Sequence, residues 1–386
     1  MPHASIANVL FPAPPPVVCR RCGARADESR PLLGCRACGG PLELEHGRDL
    51  PSARVDPGRR GVWRYRPLLP LRDEASLVTL GEGDTPVVDL PRWGAVVGAP
   101  RTRAKLEHVA PTGSFKDRGM TLVVSHAREL GARALVEDSS GNAGASAAAY
   151  AARAGLEATV YAPASAPEPK LRQIAATGAR VVRVSGSRQA VTDAATEAAE
   201  GGDAYYVGHN VNPYFSFGMT TFAYELAELV AADLPEHVVM PVGGGSLYVG
   251  CWLGLRLWLG HGARLPRLHL VQPSGCAPIV AAQAAGAPEP VAVERRPTVA
   301  GGAEIERPAR GGQMLEALAD TAGVAVAVED EAILAERRRL AHLEGIDVEP
   351  TAALALAGLF ELARRGVIRP DEGALVVTTG VGLKVP

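Results

Sequence analysis

From Leu80 onward the chain alternates short apolar runs with helix-like patterns, and this alternation constrains the fold more than any other feature. Runs at 132–136, 158–162, 179–184, 204–207, 238–242, 268–272 and 374–378 read as buried strands. Helical patterns at 120–130, 145–154, 168–177, 188–199, 221–231 and 247–259 fall between them. Such an order predicts an α/β protein with mainly parallel sheets, because each crossover helix covers a sheet face. The 386 residues suffice for two or three domains, and no internal repeat is visible. Residues 49–79 carry few regular signals and read as an arm or linker.

Three loops on this scaffold carry chemistry. The first holds Lys116, in Pro111-Thr112-Gly113-Ser114-Phe115-Lys116-Asp117-Arg118-Gly119. Only four of the 40 basic residues are lysine: Lys105, Lys116, Lys170 and Lys384. An amine forms a Schiff base with an aldehyde, and a guanidinium effectively cannot. By position alone Lys116 reads as a solvated lysine at a helix start. The second loop, Glu137-Asp138-Ser139-Ser140-Gly141-Asn142-Ala143-Gly144, links a strand to an alanine-rich helix. Free backbone N–H groups at such a turn bind a carboxylate or phosphate, although an ordinary Ser/Asn cap looks the same. The third is Gly243-Gly244-Gly245-Ser246, whose glycines let backbone approach a phosphate at a helix N-terminus. It has neither the Rossmann nor the P-loop spacing. A lysine, a carboxylate loop and a phosphate loop, in that order, are best explained together by a pyridoxal-phosphate site.

With these motifs the chain resembles the fold-type II pyridoxal-phosphate enzymes, and within them threonine synthase and its relatives. The resemblance covers about Leu80 to Lys384. Its further landmarks are Gly81-Glu82-Gly83-Asp84-Thr85-Pro86, Lys105-Leu106-Glu107, Asn212-Pro213, Glu349-Pro350-Thr351 and Thr379-Gly380-Val381-Gly382-Leu383-Lys384. It implies two parallel-sheet domains with the cofactor between them: a small substrate-gating domain at 111–209, and a large domain at 80–110 and 210–386. It further implies that Lys116 holds the cofactor as a Schiff base and acts as general base and acid. Asn142 would bond the cofactor's 3′-oxygen, Gly243, Gly244, Gly245 and Ser246 its phosphate, and Thr379 would face the pyridine nitrogen. Ser139, Ser140 and Gly141 would receive the substrate carboxylate.

The departures bear on substrate. In threonine synthases a threonine after the loop asparagine, and polar and basic residues around the Asn-Pro segment, grip a substrate phosphate. Here Ala143 follows Asn142, and the segment from Asn210 carries Val211, Phe215, Met219 and Thr220 instead. Ala143, Asn210 and Phe215 would therefore line a neutral or aromatic-friendly pocket. A dianion needs paired, hydrogen-bonded charges, which only an arginine from elsewhere, such as Arg307 or Arg310, could restore.

Four of the six cysteines form two Cys-x-x-Cys pairs, Cys19/Cys22 and Cys35/Cys38, each followed by glycine. This is the pattern of a structural zinc ribbon within residues 1–48, behind a proline-rich, disordered start. Two disulfides, or a knuckle without metal, are the competing readings. Disulfides suit a cytosolic enzyme poorly. Cys251 and Cys276 read as core residues.

A net charge of −2 gives no electrostatic reason to expect nucleic acid or an anionic membrane as partner. No apolar stretch has spanning length and no signal peptide is expected, which points to a cytoplasmic protein, with a homodimer as its expected assembly. The expected activity is elimination or replacement at the β or γ carbon of an amino acid carrying a leaving group. Genuine threonine synthase with an altered phosphate site is the competing enzyme. A non-catalytic binding protein, or a ribbon that recruits a carrier protein, is the alternative of another class.

Overall fold

A computed structural model of the chain describes residues 15–47, 54–166, 168–201, 204–229, 233–260 and 262–384. Most of the expected proline-rich start, and residues 230–231 at the end of an expected helix, lie outside them. Strands run Val17–Cys19 (β1), Leu42–Leu44 (β2), Val87–Asp89 (β3), Thr102–Lys105 (β4), Ala134–Glu137 (β5), Glu157–Pro163 (β6), Arg180–Val184 (β7), Ala204–Tyr206 (β8), His237–Pro241 (β9), Arg267–Pro273 (β10), Ala325–Val328 (β11) and Ala374–Val377 (β12). Helices run Pro91–Val97 (α1), Lys116–Glu129 (α2), Asn142–Ala154 (α3), Glu168–Ala175 (α4), Arg188–Glu200 (α5), Pro213–Gly218 (α6), Thr220–Leu229 (α7), Ser246–Leu259 (α8), Pro278–Ala285 (α9), Gly311–Thr321 (α10), Asp330–Glu344 (α11) and Pro350–Arg364 (α12).

The chain divides into two compact units. One comprises residues up to Asp84 with Lys116–Tyr224, the other Thr85–Phe115 with Glu225 to the end. The first holds a four-stranded sheet in the order β7-β6-β5-β8, with every pair parallel. Ala145 and Ala148 of α3 and Leu171 and Ile174 of α4 pack on Val160 and Ala162. Small side chains on α3 let that helix lie close to the sheet. A two-stranded antiparallel ribbon, β1-β2, belongs to the same unit.

The second unit holds a six-stranded sheet in the order β11-β10-β9-β12-β4-β3, parallel except at the β3 edge. Buried α12 residues from Ala352 to Leu362 form its core with Val239, Val271, Val326 and Val376. The helix approaches closely at Gly358, where a Cβ would fall 2.2 Å from Val271 Cγ2.

Beyond the start of the second unit, which falls at Thr85 and not at residue 80, two boundaries differ from the sequence reading. The break expected after residue 110 falls after Phe115, and that expected after 209 falls after Tyr224. Backbone packing explains the second. A Cβ on Gly218 would lie 2.6 Å from the Arg118 carbonyl, and one on Gly119 2.6 Å from the Phe215 carbonyl. Thus α6 lies directly on α2 and draws 210–224 into the first unit. The segment read as an arm also packs there: Val62, Trp63, Tyr65 and Leu68 are buried. Trp63 Nε1 donates to Thr121 Oγ1 at 3.0 Å, and the Val78 N–H to Ser125 Oγ at 2.9 Å, both on α2. Irregular 3-10 turns bury these aromatics one by one, so no periodic pattern announces them.

Candidate functional site

Lys116 is the first residue of α2, earlier than the sequence suggested. Its Nζ lies 5.7 Å from the ring centroid of Phe215 on α6. Phe215 is fully buried, and α6 is fixed in place by Asn212, whose Oδ1 accepts from the Tyr214 and Phe215 N–H groups. Asp117 is buried beside Lys116 and accepts from Ser146 Oγ of α3 at 2.6 Å, tying the two helix starts together.

The carboxylate-type loop precedes α3 as expected. Ser139, Ser140, Gly141, Asn142 and Asn210 are partly exposed, whereas Ala143 and Met219 are packed inside. The loop folds tightly over the first turn of α3: a Cβ on Gly144 would sit 1.8 Å from the Ser139 carbonyl oxygen. This glycine cannot be replaced without moving the loop.

Sequence reasoning missed a cluster beside that loop. Glu137, at the end of β5, has Oε1 2.6 Å from His209 Nδ1. A carboxylate oxygen of Glu137, one of Asp138 and a ring nitrogen of His209 lie within 4.8 Å of one another. Asp138 accepts from Arg188 at 2.8 Å and from Thr192 Oγ1 at 2.6 Å. Burial opposes its charge, but the Arg188 guanidinium and His209 hold its carboxyl below the usual carboxylate range. His209 meets Phe215 edge-on, with centroids 5.9 Å apart. The available signal was the position of Glu137-Asp138 at the head of the loop. The pairing across 72 residues leaves no local trace.

In the second unit, the loop after β9 leads into α8, with Gly245 at its N-cap (φ 87°). A Cβ there would lie 2.5 Å from Met314 Sδ, and one on Gly243 2.7 Å from the Gly302 carbonyl. Only glycine fits both positions. The 14-residue helix α8, opening at Ser246, offers its N-terminus to an anion.

Thr379 follows β12 in the same unit and is 2% exposed, yet its Oγ1 has no hydrogen-bond partner among the described residues. Its carbonyl accepts from the Phe115 N–H at 3.1 Å. A buried hydroxyl of this kind suits a ligand atom that accepts or donates one hydrogen bond. Lys105 is committed otherwise. It is fully buried and donates to the Thr85 carbonyl at 2.5 Å, to Thr85 Oγ1 and to the Glu225 carboxylate. Arg310, also buried, donates to Gln313 Oε1 at 3.1 Å within this unit, and Arg307 is exposed.

The four ribbon cysteines converge. Cys19–Cys38, Cys22–Cys38 and Cys22–Cys35 Sγ distances are 3.5, 3.5 and 3.6 Å, and all four sulfurs lie within 4.8 Å of one another. Tetrahedral zinc with bonds of about 2.3 Å sets its sulfurs about 3.8 Å apart. Gly23 and Gly39, at φ 72° and 69°, return N–H groups to the Cys19 and Cys35 carbonyls. A Cβ on Gly40 would lie 2.9 Å from Cys19 Sγ. Burial opposes ionisation of Cys19, yet N–H groups of Cys22 and Arg21 pull its thiol to about 7. The donor set and spacing fit a zinc ion. Cys251 and Cys276 are buried core residues.

A family model for pyridoxal-phosphate dependent enzymes matches residues 78–380, and the chain belongs to that family. It is 35% identical over 377 residues to the threonine synthase of Methanosarcina acetivorans, covering 95% of this chain and 92% of that one. Its identity to the threonine synthase of Synechocystis is 37% over 328 residues, 83% of this chain and 82% of the other. Solved structures of similar fold include a fungal L-serine ammonia-lyase from Rhizomucor miehei (TM-score 0.68, 23% identity, 77% of this chain and 93% of that chain). An O-ureido-L-serine synthase is also similar (TM-score 0.65, 24% identity, 78% and 90%). The two parallel sheets are those of fold-type II pyridoxal-phosphate enzymes.

Proposed function

We propose that this threonine-synthase-like enzyme carries out elimination or replacement at the β or γ carbon of a small amino acid, and that its leaving group is not a phosphate dianion. The observation that carries the reading is Lys116 at the start of α2, with the buried Phe215 ring 5.7 Å from its amine. When bound, pyridoxal phosphate supplies an aldehyde for amines and an electron sink for charge developing at Cα. Lys116 would hold that aldehyde and, as a free amine, would take the α-proton of the substrate. Ser139, Ser140 and Gly141 orient the substrate carboxylate at the start of α3. Asn142 holds the ring's 3′-oxygen. Gly243, Gly244, Gly245 and Ser246 hold the phosphate at the N-terminus of α8. Thr379 gives the ring nitrogen a neutral partner.

Ala143, Val211, Phe215 and Met219 offer no charged hydrogen bond. Losing several charged hydrogen bonds, each worth roughly 1.5–3 kcal/mol, weakens phosphate recognition by orders of magnitude. The identity to threonine synthases favours a second reading, in which O-phosphohomoserine is still the substrate. Steady-state kinetics separate the two. Poor turnover of O-phosphohomoserine beside better turnover of a neutral-leaving-group amino acid is expected. A kcat/KM of roughly 10⁴ M⁻¹s⁻¹ or more, with threonine as product, establishes the second reading.

On the same reading Cys19, Cys22, Cys35 and Cys38 hold structural zinc, and the protein is a cytoplasmic homodimer. No helix among the described residues is long and apolar enough to cross a membrane. The ribbon braces its own unit, which favours a supporting role over recruitment of a carrier. Tyr214 of α6 donates to Glu28 Oε2 at 2.8 Å, and His126 of α2 lies 3.5 Å from the same oxygen.

A further inference from the structure

We infer that Glu137, paired with His209, is the acid that protonates the departing group, and that the substrates are amino acids whose leaving group needs a proton, such as a hydroxyl. The inference rests on the reading above and adds the substrate class to it. Glu137 is 1% exposed. One carboxyl oxygen is occupied by His209 Nδ1 at 2.6 Å. The other, Oε2, is buried and has no hydrogen-bond partner among the described residues. A buried carboxyl with one occupied and one unpartnered oxygen is suited to share a proton with a ligand.

Its placement relates it to the chemistry. Glu137 ends β5 two residues before Ser139, and its partner His209 stands edge-on to the same Phe215 ring that lies 5.7 Å from Lys116 Nζ. The neighbouring charges exclude a competing assignment. Asp138 is occupied by Arg188 and Thr192, so it is the structural carboxylate of the pair. Arg188 is engaged by Asp138, so it does not supply an anion pocket.

The chemistry distinguishes the leaving groups. Phosphate departs as a stable anion and needs no proton. Hydroxide is a poor leaving group, and a general acid contributes roughly 10²–10⁴-fold to its departure. In the step proposed here, the electron pair left at Cα by α-proton removal forms a Cα=Cβ bond as the Cβ–O bond breaks and its own pair goes to oxygen. The proton on Glu137 Oε2 moves to that oxygen, water leaves, and Glu137 remains as carboxylate. His209, with Nδ1 on the other carboxyl oxygen, holds the pair in register while solvent returns a proton. In replacement the same carboxylate takes the proton of an incoming hydroxyl or thiol.

The test compares leaving groups within one variant of the holoenzyme. kcat/KM is measured for L-serine or L-threonine and for β-chloro-L-alanine, whose chloride departs without a proton. Glu137→Gln keeps the shape of the side chain and removes the acid. The proposal expects it to lower turnover of the hydroxy amino acid at least 100-fold more than that of the chloro compound. Glu137→Asp, which withdraws the acid by one methylene, should show the same selective loss in milder form and covers the case in which Glu137→Gln does not fold. Equal losses on both substrates, or none on either, would overturn the proposal. So would wild-type protein that exchanges the α-proton of hydroxy amino acids with deuterium oxide yet never releases water. Absence of α-proton exchange with every amino acid tried overturns the proposed function itself, and this inference with it.

Discussion

Thr379→Val should have opposite effects on the apoenzyme and the holoenzyme. Thr379 is 2% exposed, and its hydroxyl has no hydrogen-bond partner among the described residues. An unsatisfied buried hydroxyl costs about 1–3 kcal/mol, and valine removes it while keeping the branched shape. Urea unfolding of cofactor-stripped protein should therefore show Thr379→Val equal to wild type or more stable, by up to about 2 kcal/mol. On the proposed reading the hydroxyl would face the pyridine nitrogen of the holoenzyme, where one neutral hydrogen bond contributes about 0.5–1.5 kcal/mol. Cofactor affinity should fall about 3- to 10-fold, measured by fluorescence titration of the apoprotein with pyridoxal phosphate. A variant apoprotein less stable than wild type by more than about 1 kcal/mol, with unchanged cofactor affinity, would show that the hydroxyl serves the fold and not the ring.

Two further predictions concern the remainder of the molecule. In the second unit the Val324 N–H donates to His269 Nδ1 at 3.1 Å, so His269 Nε2 carries the proton given to His237 Nδ1 at 2.9 Å. The outer nitrogen of His237 lies 3.1 Å from Glu372. Burial, then the neighbouring His237, lowers His269 to about 3. The unfolded chain therefore binds a proton that the folded chain refuses between about pH 6.5 and 3. Stability from this group is complete above about 6.5 and falls by at most about 1.4 kcal/mol per pH unit below it. His269→Gln should flatten the difference in urea-unfolding free energy between pH 7 and 5, and an unchanged slope would refute the assignment. For the ribbon, elemental analysis of protein purified without added metal should give about one zinc per chain, and Cys35→Ser should abolish it. Metal-free protein with all four thiols free or paired as disulfides would refute the site.

Much of the architecture was legible because parallel strands buried on both faces read as continuous apolar runs. His237–Pro241 and Ala374–Val377 are such runs; the first lies one residue earlier than expected, and the second ends one residue earlier. The start of α2 was not legible. Lys116-Asp117-Arg118-Gly119 is polar and carries a glycine, which local propensity counts against a helix. Tertiary packing overrides propensity there, since Gly119 is the place where α6 approaches. The strand-to-helix loops were legible from their glycines and serines, and Gly144, Gly243 and Gly245 stand where other atoms approach closely. Glu137 and His209 were not, because a buried acid–imidazole pair made between distant loops has no sequence period. In isolation Glu137-Asp138 reads as a solvated charge pair.

The central claim is that Lys116 holds the cofactor and begins the chemistry, and peptide mapping after borohydride reduction tests it most directly. Reduction of the holoenzyme, proteolysis and mass spectrometry should place the reduced pyridoxyl group on the peptide containing Lys116. Lys116→Ala should yield no such adduct and no α-proton exchange. A pyridoxyl group on Lys105, Lys170 or Lys384, or unaltered exchange in Lys116→Ala, would contradict the account.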